Sequence, residues 1–138
     1  MIADHVSRIA QAVPEGLTSV SGSTLLGCDG GHDVDLVVLV PQVPEAAGRL
    51  RRLYPALYED EWRDDWAAFR HPGPPQVDVV LTRPGTKGDA HHRRAWELLL
   101  ADEEPRAEYE RLRAAGMSGA QKAEFFDRVV AMLDDAGA

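Results

Sequence analysis

The run Val34-Asp35-Leu36-Val37-Val38-Leu39-Val40 constrains this chain more than any other segment. It is apolar and β-branched, too short for a typical helix, preceded by the turn signal Asp29-Gly30-Gly31 and stopped by Pro41. Such a run reads as a central strand buried on both faces, which calls for strands beside it and helices flanking the sheet. Its one charged member is Asp35, and Asp33 stands two residues earlier. Side chains alternate along a strand, so the two carboxylates share a face while the residues around them pack into a core.

The rest of the chain supplies that frame. Val6, Ile9, Ala10 and Val13 recur at helical spacing over residues 3–13, ended by Pro14 and Gly16. Leu17-Thr-Ser-Val-Ser21 is β-prone and runs into Gly22-Ser23, after which Thr24-Leu25-Leu26 can form a short helical turn. Pro44 suits the first turn of a helix in which Ala47, Leu50, Leu53, Tyr54 and Leu57 repeat, with Pro55 cutting into its end. Residues 61–69 have no clear period. The Pro72–Pro75 loop links them to Gln76-Val77-Asp78-Val79-Val80-Leu81-Thr82, which predicts two antiparallel strands. Everything beyond residue 88 reads as helical.

At 138 residues the chain is expected to be one α/β (α+β) domain, with a sheet-bearing core over about 1–86 and C-terminal helices over about 87–138. No apolar run approaches the roughly 20 residues of a membrane span. The opening Met1-Ile2-Ala3-Asp4-His5 lacks the basic and apolar regions of a secretory signal, and Cys28 is the only cysteine, so a reducing, cytoplasmic setting is expected. A formal net charge of -8 argues against a phosphate-tracking surface and hence against a long nucleic-acid partner.

Chemistry concentrates in residues 22–40 and 76–82. A strand bearing Asp78 beside the one bearing Asp33 and Asp35 puts three carboxylates on one face. They repel one another unless a cation neutralises them, and such hard oxygen donors suit Mg²⁺ or Mn²⁺. Metal ions so held serve in-line phosphoryl displacement. Gly22 lets the backbone approach a phosphate, and the Ser23 amide and hydroxyl can donate to it.

The spacing Gly22-Ser23, Gly27, Asp33-Val34-Asp35-Leu36 and the later Asp78 resembles the signature of the DNA polymerase β-like nucleotidyltransferase superfamily, over about residues 17–82. The resemblance implies that Gly22 and Ser23 hold a nucleoside triphosphate such as ATP. It implies too that Asp33, Asp35 and Asp78 bind metal, with Asp78 as base toward an acceptor hydroxyl. Pro105, Ala107, Tyr109, Leu112, Arg113 and Lys122-Ala123-Glu124-Phe125 resemble the tail of the GrpB-like branch. That branch usually carries Lys-Pro-x-x-Asp at the first carboxylate strand, a segment this chain lacks. Active relatives often have Arg where this chain has Leu26, which leaves triphosphate charge to Lys122 or Arg83.

The expected activity is metal-dependent nucleotidyl transfer to a small-molecule or protein acceptor. The alternative is a catalytically degenerate relative that binds a nucleotide or a protein partner without turnover. Taken singly, Gly22-Ser23 is a turn and cap, Asp29 a turn residue, and Asp64 and Asp65 solvated loop residues, with Asp64 a fallback third carboxylate. Trp62, Trp66, Phe69 and Trp96 are expected in the core. His91 and His92, diverging by about 100° on a helix, are expected at the surface.

Overall fold

The computed structural model describes residues 2–26 and 33–137, with side chains described to residue 134. The readings at Gly27, Cys28 and Asp29 fall outside the described residues. Helix α1 (Ile2–Ala12) buries Ile9 and half-buries Ile2 and Val6, then gives way to β1 (Leu17–Ser21) and a single helical turn, α2 (Gly22–Leu26). Strand β2 (Asp33–Leu39) leads to α3 (Val43–Leu50), which has Pro in its first turn. Strands β3 (Ala56–Leu57), β4 (Trp66–His71) and β5 (Gln76–Thr82) follow.

These strands form one mixed sheet in the order β1-β2-β5-β4-β3. Only β2 and β5 are parallel, which places β2 in the interior as its apolar run requires. The face bearing Val34, Leu36, Val38, Val77, Val79, Leu81, Ala67 and Phe69 packs on α1 and α3 through Ile9, Val13, Ala46 and Leu50. Each fully buried Leu, Val or Phe of that layer is worth about 1.5–3 kcal/mol.

The helix begun at Pro44 is shorter than its periodicity suggests. It ends at Leu50, leaves Leu53 exposed and gives Leu57 to β3. Tyr54 still reaches the core, because its hydroxyl lies 2.8 Å from His5 Nδ1 beneath α1. Pro55 cannot continue the helical hydrogen bonding, so the chain turns there.

After β5 come a short turn, α4 (Lys87–Asp89), a π-type turn (Ala90–Arg94), and helices α5 (Ala95–Ala101), α6 (Glu103–Ala114) and α7 (Gly119–Gly137). They gather a second apolar cluster around Trp96, Leu99, Tyr109, Phe125 and Phe126, against which Leu25 and Leu26 of α2 pack. Leu26 is thus part of the contact between α2 and the C-terminal helices. No helix among the described residues is long and apolar enough to cross a membrane.

Candidate functional site

The strand register aligns a row of polar residues across the sheet. Ser21 of β1 pairs with Asp35 of β2, Asp35 with Asp78 of β5, and Asp78 with Arg70 of β4. The pleat turns this row away from the α1/α3 core and toward the C-terminal helices. Between row and helices lies a cavity of ≈ 430 Å³, within the roughly 300–1,000 Å³ range of small-molecule sites. Ser21, Gly22, Asp35, Asp78 and Arg70 line it from the sheet, Tyr58 and Trp66 from the side, and His91, His92, Trp96, Lys122 and Phe126 from the helices.

Gly22 is at this floor for two reasons. Its φ is +63°, a conformation L side chains rarely adopt, and a Cβ there would come within 2.2 Å of Asp35 Oδ2. The Gly22 backbone therefore presses directly on the Asp35 carboxylate. Thr24 anchors the same turn by donating to the Asp33 carbonyl at 2.9 Å. Ser23 is half-buried in α2 and does not line the cavity; Ser21 and Gly22 do.

Arg70 dominates the opposite end. Its Nε donates to Asp78 Oδ1 at 2.7 Å and a terminal nitrogen to Oδ2 at 3.0 Å, a two-pronged fork that raises the guanidinium pKa further. The Tyr58 phenol also reaches Arg70. Tyr58 is 54% exposed and holds φ 52°, an unusual strain for a bulky residue, at the mouth of the cavity.

The sheet face thus brings Asp35 and Asp78 together, while Asp33 sits exposed at the head of β2, opposite Gln76 and outside the cavity lining. A metal centre of the expected kind needs all three carboxylates free to converge. Among the described residues no group of three His, Cys, Asp or Glu side chains converges in this way, and both Asp78 oxygens face Arg70. In this arrangement the donor set does not fit a metal centre. Asp64 is an exposed residue of the loop before β4, beside a different surface hollow.

Lys122 of α7 reaches the cavity with its ammonium 5.9 Å from the Trp96 ring centre. Arg83, the other candidate for phosphate charge, is exposed beyond β5 and away from the cavity lining. Phe69 and Trp96 are core residues, Trp62 packs half-buried on the α3 side, and Trp66 forms a cavity wall. The expectation that His91 and His92 are surface residues is corrected: both line the cavity. The π-type turn holds more residues per turn than an α-helix, so adjacent side chains diverge by a smaller angle, and the cavity takes in both.

His92 is neutral at physiological pH. Its Nε2 accepts from the Trp66 indole N–H at 3.2 Å, which assigns its proton to Nδ1. Burial, followed by the charges of His91, Arg63 and Lys122, lowers its pKa from 6.5 to about 4. Between these values the unfolded chain binds the proton and the folded chain does not. The contribution is therefore complete above pH 6.5, falls as the pH drops through that window and is gone below about 4, a span worth about 3 kcal/mol. His5, lowered by burial and by His71, acts with the same sign. Urea midpoints measured from pH 7.5 to 4.5 should decline, and His92→Gln should flatten the decline. An unchanged slope in His92→Gln would contradict the assignment.

No family model and no curated protein matches the chain. Among solved structures, it is similar to conserved protein GrpB from Enterococcus faecalis, with a TM-score of 0.70 and 14% sequence identity over 94% of this chain and 88% of that one. At that identity the likeness concerns architecture, and it takes in the sheet and the C-terminal helices together. The chain has a GrpB-like fold.

Proposed function

We propose that the cavity binds a nucleotide without turnover, in a fold of the nucleotidyltransferase type whose catalytic metal position is incomplete. The observation that carries this reading is the place of Asp33, exposed and outside the cavity lining, which leaves Asp35 and Asp78 without the third carboxylate, while Arg70 holds both Asp78 oxygens in the free protein. Arg70 and Lys122 offer positive charge to phosphates, and Tyr58, Trp66 and Trp96 offer aromatic surface to a base. Leu26, packed into the helical cluster where an active relative often has Arg, points the same way.

A second reading, metal-dependent nucleotidyl transfer from a nucleoside triphosphate, is favoured by the register that sets Asp35 beside Asp78 in the cavity. That reading requires Arg70 to release Asp78 and Asp33 to turn toward the cavity, so that the three carboxylates would hold Mg²⁺ or Mn²⁺, whose charge would neutralise the transferring phosphate. Melting temperature measured with ATP, in EDTA and in Mg²⁺, separates the two. Binding without turnover predicts stabilisation in EDTA, by about 2.7 kcal/mol at 100 times the Kd, and no ATP consumption in Mg²⁺. Stabilisation that appears only with Mg²⁺, together with released pyrophosphate, favours the second reading. No stabilisation in either condition removes both.

A further inference from the structure

We propose that Arg70 is the anion receptor of the cavity and that Asp78 is its built-in competitor. An arriving phosphate takes over the fork that Asp78 occupies in the free protein. The inference deepens the nucleotide-binding reading and rests on it for the class of ligand.

Three observations carry it. The Arg70 guanidinium and the Asp78 carboxylate both line the cavity, with side chains 37% and 23% exposed, so ligand oxygens can reach the pair from the solvent side. A planar guanidinium offers two parallel N–H donors, and that pattern matches a phosphate as well as it matches a carboxylate. Asp78 also receives a long contact from Gln76 Nε2 at 3.5 Å, which it retains when Arg70 turns away. Ion pairs open to solvent are weak enough to be exchanged.

The consequence is an inversion of sign between two neighbours. If Arg70 recognises the anion and Asp78 competes for it, then removing Arg70 weakens binding and removing the charge of Asp78 strengthens it. A merely structural pair would weaken in both variants.

The test is calorimetric titration with inorganic tripolyphosphate, and separately with ATP, both in EDTA. Arg70→Gln should weaken tripolyphosphate at least about tenfold, and Arg70→Lys should weaken it too, because an ammonium keeps the charge and loses the fork. Asp78→Asn should tighten it about tenfold, and that gain should vanish in the Arg70→Gln/Asp78→Asn double variant. Asp35→Asn, which removes the same charge from the same row without freeing Arg70, should gain less than Asp78→Asn. Binding by Asp78→Asn that is equal to wild type or weaker, or a gain that survives loss of Arg70, overturns the proposal.

Should the substitutions disturb folding, the wild-type protein still decides the matter. The Arg70 Nε–H resonance must move on addition of tripolyphosphate, and its staying fixed while the anion binds overturns the proposal equally. ATP binding no more tightly than tripolyphosphate removes the nucleotide reading and leaves Arg70 as an anion receptor, so the two failures are distinguishable.

Discussion

Arg93→Met is expected to destabilise the protein by about 3–5 kcal/mol. Asp89 is 1% exposed, and Arg93 grips it from Nε at 2.6 Å and from a terminal nitrogen at 2.8 Å while the Gly85 amide donates at 2.8 Å. Burial works to raise the Asp89 pKa, and the hydrogen bonds from Arg93 and Gly85 reverse it, leaving the group lowered. Without Arg93 a buried carboxylate loses its counter-charge. The π-type turn that carries His91 and His92 then loses its anchor, so ligand affinity should fall as well. Urea unfolding measures the first effect. Adding Asp89→Asn to Arg93→Met should recover much of the loss, because no buried charge is then left unpaired. A loss below 1 kcal/mol in Arg93→Met would show that the pair does not hold this turn.

Gly22→Ala is expected to damage the cavity from its floor. The left-handed backbone alone costs a residue with a side chain roughly 1–2 kcal/mol. The added methyl would lie 2.2 Å from Asp35 Oδ2 and 3.0 Å from Asp35 Cβ, so the carboxylate has to move. Stability should therefore fall by more than the backbone contribution, and affinity for ATP should fall with it. Asp35→Ala in the same chain should return part of the stability, since it removes the oxygen that collides while leaving the strained φ. If Gly22→Ala binds ATP as wild type does, the contact between this turn and Asp35 has no part in the site.

Sequence and structure agree most closely where the pattern is local. The apolar run from Val34 to Leu39, closed by Pro41, leaves little choice but an interior strand, and alternation along it places Asp35 on the face opposite Leu36. A second run of the same kind at Gln76–Thr82 predicts a strand able to lie beside it, whereas the parallel direction and register of the pairing belong to the structure. Arg70 was not legible, although it lies one residue beyond the ambiguous segment 61–69. Its meeting with Asp78 depends on the register across the Pro72–Pro75 loop, and nothing in residue spacing sets that register. Residue spacing does not point to Tyr58, because the helical repeat runs on through Leu57, whereas the chain leaves the helix at Leu50 and turns back at Pro55. A regular helix would carry His91 and His92 on diverging, solvated faces. The Asp89–Arg93 fork sits at the head of a wider turn instead, and that is a tertiary feature.

The most direct test of an anionic nucleotide site in this cavity uses the three tryptophans as internal reporters. Trp66 and Trp96 line the cavity, whereas the Trp62 indole donates to the Leu57 carbonyl at 3.0 Å and packs on the α3 side of the sheet. Each indole N–H gives its own signal in a ¹H–¹⁵N spectrum, so a titration with ATP in EDTA reads all three at once. The account predicts that the Trp66 and Trp96 signals move in a saturable manner while the Trp62 signal stays in place. Movement of Trp62 alone, or three signals unmoved at millimolar ATP, would contradict it.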